Sequence, residues 1–253
     1  MKAWGVTDIG LRRKENQDTY ALDTLFPPEV IVAVVCDGMG GVSGGRLASG
    51  IAVETFMEEL RAQAREDMTL SQLREAEAYC VHRANDAVYC RAQEDMTYHG
   101  MGTTLVSAIA SPGHAVVCNV GDSRAYLIEG DRIARVTRDH SVVENLIEAG
   151  DITPEQARTH PNRNLITRAL GPDKTIVCDA FEVELNEGSS LLLCTDGLTA
   201  IAEDEEILAV IRAEEDGAKA LEQLLALAIS RGAPDNVTAV LIRNEKGVKR
   251  QNG

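Results

Sequence analysis

No apolar run in this chain of 253 residues approaches the roughly 18 to 20 residues that a membrane-spanning helix needs, so no membrane insertion is expected. Paired cysteines are also missing: Cys36, Cys80, Cys90, Cys118, Cys178 and Cys194 are dispersed without any Cys-x-x-Cys. That spacing argues against a zinc site or a disulfide frame and predicts reduced thiols, three of them inside apolar runs. Basic residues are few, 25 Lys and Arg against 40 Asp and Glu, and the net charge of −15 disfavours binding to nucleic acid or to an anionic membrane. The opening residues Met1-Lys2-Ala3-Trp4-Gly5 lack the apolar segment of a secretory signal, and a cytoplasmic location is expected. Glycines 38, 40, 41, 44 and 45 are followed by neither Gly-Lys-Ser/Thr nor a Gly-x-Gly-x-x-Gly pattern, so they are not read as a nucleotide-phosphate loop. With no Pro- or Ser-rich linker and no repeat, one domain is expected over residues 1–245, followed by a short tail, 246–253.

What the chain does have is a set of apolar runs that stop at acids. Val30 to Cys36 runs into Asp37-Gly38, Leu191 to Cys194 with Thr195 runs into Asp196-Gly197, and Val116 to Val120 runs into Gly121-Asp122. Such runs read as strands buried on both faces, which puts each Asp at a strand end on the rim of a core. A carboxylate cluster there is costly unless a cation occupies it.

Periodicity predicts helices over about 46–65 and 71–95, the second with Leu73, Ala76, Cys80, Ala84, Ala87 and Val88 on one stripe. Residues 103–136 read as an antiparallel meander, broken by turns at Ser111-Pro112-Gly113-His114 and Glu129-Gly130-Asp131. A polar stretch, 141–168, with helical portions near 142–149 and 154–159, precedes strands at about 175–183, 190–194 and 237–242. Helical spacing returns over 203–212 and 218–230. Helices in adjacent pairs and strands in runs favour an α+β fold with mostly antiparallel sheets.

Asp18, in Glu15-Asn16-Gln17-Asp18, and Asp235, in Pro234-Asp235-Asn236, complete a set with Asp37, Asp122 and Asp196. Oxygen ligands suit Mg²⁺ or Mn²⁺ rather than zinc, and Gly38 lets its own carbonyl approach a cation.

These residues resemble the metal-dependent serine/threonine protein phosphatases of the PPM type, also called type 2C, in their bacterial branch. The matching segments are Thr7-Asp8-Ile9-Gly10, Arg13 with Asn16-Gln17-Asp18, Asp37-Gly38-Met39-Gly40-Gly41, Gly102-Thr103-Thr104, Gly121-Asp122-Ser123-Arg124, Thr137-Arg138-Asp139-His140-Ser141, Thr195-Asp196-Gly197-Leu198 and Asp235-Asn236, in family order. The resemblance implies a four-layer αββα sandwich of two mostly antiparallel sheets flanked by helix pairs. It implies two Mg²⁺ or Mn²⁺ ions, with Asp37 bridging them, Asp18 and the Gly38 carbonyl on one side, and Asp196 and Asp235 on the other. A third metal would fall to Asp122 with Asp196.

On the same resemblance, Arg13 binds the phosphate, Asn236 contacts substrate, and residues 141–168 form a flap that selects protein substrates. A water bridging the metals would attack phosphoserine or phosphothreonine, with Asp37 and Arg13 as the catalytic pair. Phosphoproteins, including a Ser/Thr kinase, are the expected partners of a monomer. The alternatives are a phosphatase of small phosphomonoesters and a catalytically inactive regulatory module of the same fold. Met39 stands where many eukaryotic relatives have the His that donates a proton, which leaves the general acid unassigned and points to the surroundings of Asp122. His140 is read as structural, a cap or a hydrogen-bonded loop residue.

Overall fold

The unbroken apolar run after Val30 exists because both of its faces are buried. Along strand β3 (Val30–Met39), Val32, Val34 and Cys36 join a core with helices α1 (Gly41–Gln63) and α2 (Leu70–Glu94), while Ile31, Ala33 and Val35 join a second core toward the opposite sheet. Side chains alternate across a strand, so one run serves two layers. Strand β10 (Ser190–Cys194) does the same in the other sheet. Leu191 and Leu193 face the middle layer, whereas Leu192 and Cys194 pack with helices α5 (Asp196–Thr199), α6 (Asp204–Ala213) and α7 (Gly217–Ser230).

This computed structural model describes residues 1–26 and 30–245, and the expected tail 246–253 lies outside the described residues. One sheet has the order β1 (Lys2–Asp8), β11 (Val237–Arg243), β10, β7 (Arg124–Glu129), β8 (Arg132–Arg135). The other runs β2 (Asp18–Leu25), β3, β5 (Leu105–Ser111), β6 (Gly113–Val120), β9 (Asp179–Leu185), with the two-residue β4 (Gly102–Thr103) added to β3. Every named strand pairing is antiparallel. The layers are therefore α1/α2, six strands, five strands, and α5 to α7, the α+β sandwich expected.

Several boundaries differ from the sequence reading. The meander of 103–136 is divided: β5 and β6 belong to one sheet, β7 and β8 to the other, with the crossing at Gly121–Ser123. Helix α1 begins at Gly41 rather than near residue 46, immediately after Gly40 adopts φ 117°, a left-handed conformation glycine tolerates. Strand β3 does not stop before Asp37, because β4 pairs with Gly38 and Met39 and carries it on. Strand β9 starts at Asp179 rather than near 175. Asn85, buried on α2, donates to the carbonyls of Asp173 and Lys174 at 3.1 Å each and accepts from Gly171 N at 2.9 Å, which holds that segment as a loop.

Candidate functional site

Strand parity carries the middle core into the site. Tyr20 and Leu22 on β2, Val35 on β3, Leu193 on β10 and Val240 on β11 face between the sheets, so Asp18, Asp37, Thr195 and Thr238, two residues from them, fall on the same side. At this end of the sandwich, apolar packing gives way to hydroxyls and then carboxylates. The β2–β3 register sets Asp18 directly opposite Asp37.

Asp18 is buried, and its Oδ2 accepts from Thr195 Oγ1 at 2.9 Å and Thr238 Oγ1 at 2.7 Å. The two threonines, one just past the end of β10 and one on β11, brace each other, Thr238 N donating to Thr195 Oγ1 at 3.0 Å. Among the described residues, Asp18 Oδ1 and Asp196 Oδ1 are buried without a hydrogen-bond partner. Burial, and then the neighbouring acids Asp196 and Asp235, push Asp18 up to about 7 against the two threonine hydrogen bonds. Asp37 is held well above the usual carboxylate range by burial first and then by Asp18, Asp196, Asp122 and Asp235. Burial raises Asp122 to about 7, helped by Asp196 and Asp139, and raises Asp196 beside Asp235. The five acids expected from the sequence are thus electrostatic neighbours.

The surrounding loops are fixed by close backbone approaches. A Cβ on Gly38 would lie 2.1 Å from Gly45 O, and one on Gly197 would lie 1.8 Å from Asn236 O. Gly38 N donates to Gln17 O at 3.1 Å, and Asp37 N donates to Thr104 Oγ1 at 2.9 Å. Thr104 Oγ1 also bonds Ser123 Oγ at 2.7 Å, which couples the Asp37 strand to the turn bearing Asp122. His140 grips that turn from the other side: its Nδ1 accepts from Gly121 N at 3.0 Å and its backbone N donates to Gly121 O at 2.9 Å. His140 Nε2 meets Asp179 Oδ2 at 3.1 Å, and burial lowers the imidazole's pKa. This is the structural role read for it.

Arg13 is half exposed, and its Nη2 donates to Asp235 Oδ2 at 2.6 Å. Asn236 lies between Asp235 and the first residue of β11. Its side chain is buried, with Oδ1 accepting from Gln17 N at 2.9 Å and Nδ2 donating to Ile9 O at 2.9 Å and Glu15 O at 3.1 Å. It is tied to the backbone of the loop that carries Arg13. Thr195 and Thr238, which orient Asp18, were not singled out as site residues from the sequence. Their signal is parity, each lying one strand period beyond an inward-facing core residue.

Among the described residues, no three His, Cys, Asp or Glu side chains are drawn into a finished ligand set. The donors nonetheless fit hard cations: they are carboxylate and backbone oxygens, two buried carboxylate oxygens lack any partner, and the acids raise one another's pKa values. Beside Asp122 and Asp196, a cavity of about 540 Å³ opens between residues 141–168 and the start of α6. Its walls include Arg158, Arg163 and Asn164 on one side and Glu203 on the other. That stretch contains helices α3 (Val142–Glu148) and α4 (Pro154–Arg158), is closed at its base by Val142 N to Leu165 O at 2.9 Å and Thr167 N to His140 O at 2.7 Å, and reaches across the cavity through an Arg158–Glu203 ion pair.

A family model described as protein phosphatase 2C matches residues 12–241. The serine/threonine phosphatase stp of Listeria innocua is 34% identical over 239 residues, covering 93% of each chain. The crystal structure of the serine/threonine phosphatase Stp1 from Staphylococcus aureus superposes with a TM-score of 0.90 at 37% identity, covering 97% of this chain and 95% of that one. The catalytic domain of the serine threonine protein phosphatase PstP, solved in complex with two manganese ions, is 29% identical with a TM-score of 0.80 over 95% of this chain and 96% of its own. A family match across nearly the whole sandwich, with a relative more than a third identical over the same span, makes this chain a member of the protein phosphatase 2C family.

Proposed function

We propose that this chain hydrolyses phosphoserine and phosphothreonine in proteins and so opposes a Ser/Thr kinase, working as a cytoplasmic monomer. The observation that carries the reading is the group of Asp18, Asp37, Asp122, Asp196 and Asp235 gathered at one end of the sandwich, with unpartnered oxygens on Asp18 and Asp196. Among the described residues, no helix is long and apolar enough to cross a membrane. The names of the relatives and the two manganese ions of the PstP structure support the substrate class and the metal.

Asp37 would hold both of two Mg²⁺ or Mn²⁺ ions, Asp18 and the Gly38 carbonyl one of them, and Asp196 and Asp235 the other. Asp122 with Asp196 would take a third. When bound, such a pair lowers the pKa of a shared water and offsets the charge of the phosphate. Thr195 and Thr238 keep Asp18 in one orientation, so the carboxylate needs no rearrangement to serve. Arg13 uses one nitrogen on Asp235, leaving the rest of its planar fork to grip phosphate oxygens. The cavity beneath residues 141–168 accommodates the polypeptide that bears the phosphate, and that flap contributes to the choice of substrate. The test is substrate class: phosphoserine and phosphothreonine peptides should be turned over well ahead of phosphotyrosine peptides. Equal or better turnover of phosphotyrosine peptides contradicts the assignment.

A further inference from the structure

A second buried polar group lies beneath α2, outside the acid cluster. Glu77, fully buried on that helix, accepts from Ser107 Oγ at 2.7 Å, and the β5–β6 register sets Ser107 opposite Cys118. Across the β6–β9 ladder Cys118 is paired with Ala180, two residues after Cys178, so the two cysteines fall on the same face of the sheet. Cys178 immediately precedes β9, whose Asp179 pairs with Asn119, the residue after Cys118. Both thiols pack in the α1/α2 core, Cys118 with no exposure and Cys178 partly exposed.

We propose that Cys118 and Cys178 form a reversible dithiol–disulfide pair that is oxidised by hydrogen peroxide. The two sulfurs have different parts. Cys178 is reachable from solvent, and the hydrogen bond from Cys118 lowers its pKa, which favours the nucleophilic thiolate. Its sulfur attacks one peroxide oxygen and breaks the O–O bond, forming a sulfenic acid and releasing hydroxide. Cys118 is kept a neutral thiol by its donation toward Cys178, by burial and by Glu77. Its sulfur then attacks Cys178, the S–O bond breaks, and the departing hydroxide takes the Cys118 proton to leave as water. Two thiols lose two electrons and one peroxide becomes two waters, the proton from Cys178 ending in the first of them.

The resulting bond closes a loop that contains β7, β8, Asp122 and the whole of residues 141–168. It also secures the start of β9, where Asp179 holds His140 and Arg168. The pair thus lies at the base of the segment that walls the cavity, although the oxidation chemistry is independent of the phosphatase reading.

The experiment is peroxide treatment of the full chain, followed by alkylation under denaturing conditions and peptide mapping without reductant. The expected result is a peptide pair linked through Cys118 and Cys178, lighter by two hydrogens and separated again by dithiothreitol. It should form before exposed Cys90 is consumed. Cys118→Ala should leave Cys178 as a trappable sulfenic acid, and Cys178→Ala, at the less buried position, should leave Cys118 as a thiol. Recovery of both cysteines as alkylated thiols after Cys90 has been fully oxidised would overturn the proposal, as would a link from Cys178 to Cys90 of another molecule.

Discussion

Asp18 and Asp37 lie directly opposite each other in the β2–β3 ladder, on the face buried between the two sheets. Like charges in that position repel, and burial adds to the cost of ionising them. A group that weakens the empty fold is the group best placed to gain from a cation.

Asp37→Asn should therefore stabilise the metal-free protein while abolishing the stabilisation that metal confers. In chelator, its thermal midpoint should exceed that of the wild type. Adding Mn²⁺ should raise the wild-type midpoint and leave the variant's unmoved. Differential scanning calorimetry with and without Mn²⁺ reads both effects.

Thr238 donates to Asp18 Oδ2 and accepts nothing from it, so Thr238→Val removes one of the two hydrogen bonds to that buried oxygen. Loss of such a hydrogen bond costs ~1–3 kcal/mol. Disturbing the orientation of a ligand lowers metal affinity by roughly 10- to 100-fold. Denaturant unfolding at pH 8 and Mn²⁺ titration calorimetry should show losses of these sizes, with Thr238→Ser recovering most of both.

Gly197→Ala places a methyl group 1.8 Å from Asn236 O, where backbone must move to admit it. Asn236 anchors the loop of Arg13, so the damage reaches the phosphate-binding side. We expect destabilisation of more than ~2 kcal/mol, in the range of steric mutations that force the backbone, measured by urea unfolding. Activity of the folded fraction should fall as well.

Glu77 supplies a pH dependence distinct from that of the site. Burial raises its carboxyl from an ordinary 4.5 to about 8, so between these values the folded chain holds a proton that the unfolded chain has released. Stability from this group is complete below the unfolded value and declines as pH rises toward 8. Glu77→Gln removes the decline. Unfolding free energies from pH 5 to pH 8 should fall less steeply in the variant, and the two proteins should differ most at pH 8.

The layers of the fold and the five acids were legible in the sequence because both depend on local signals. The stripe Leu73, Ala76, Cys80, Ala84, Val88 marks α2, and runs of apolar residues ending in acids mark β3 and β10. Sheet membership was not legible across 103–136, since the turn at Gly121–Ser123 is as short as a hairpin yet passes from one sheet to the other. The late start of β9 was hidden for a similar reason: Asn85, nearly ninety positions away, captures the carbonyls of Asp173 and Lys174. Asn236 matched a motif, but its partners Ile9, Glu15 and Gln17 come from the far end of the chain, and only the β1–β11 pairing brings them together.

The most direct test of a metal-dependent phosphatase centred on Asp37 is phosphate release from a phosphothreonine peptide as a function of Mn²⁺, in the wild type and in Asp37→Ala. Saturable dependence on Mn²⁺ in the wild type, and loss of turnover in the variant at every concentration, is the predicted result. Turnover that needs no metal and survives in Asp37→Ala would contradict it.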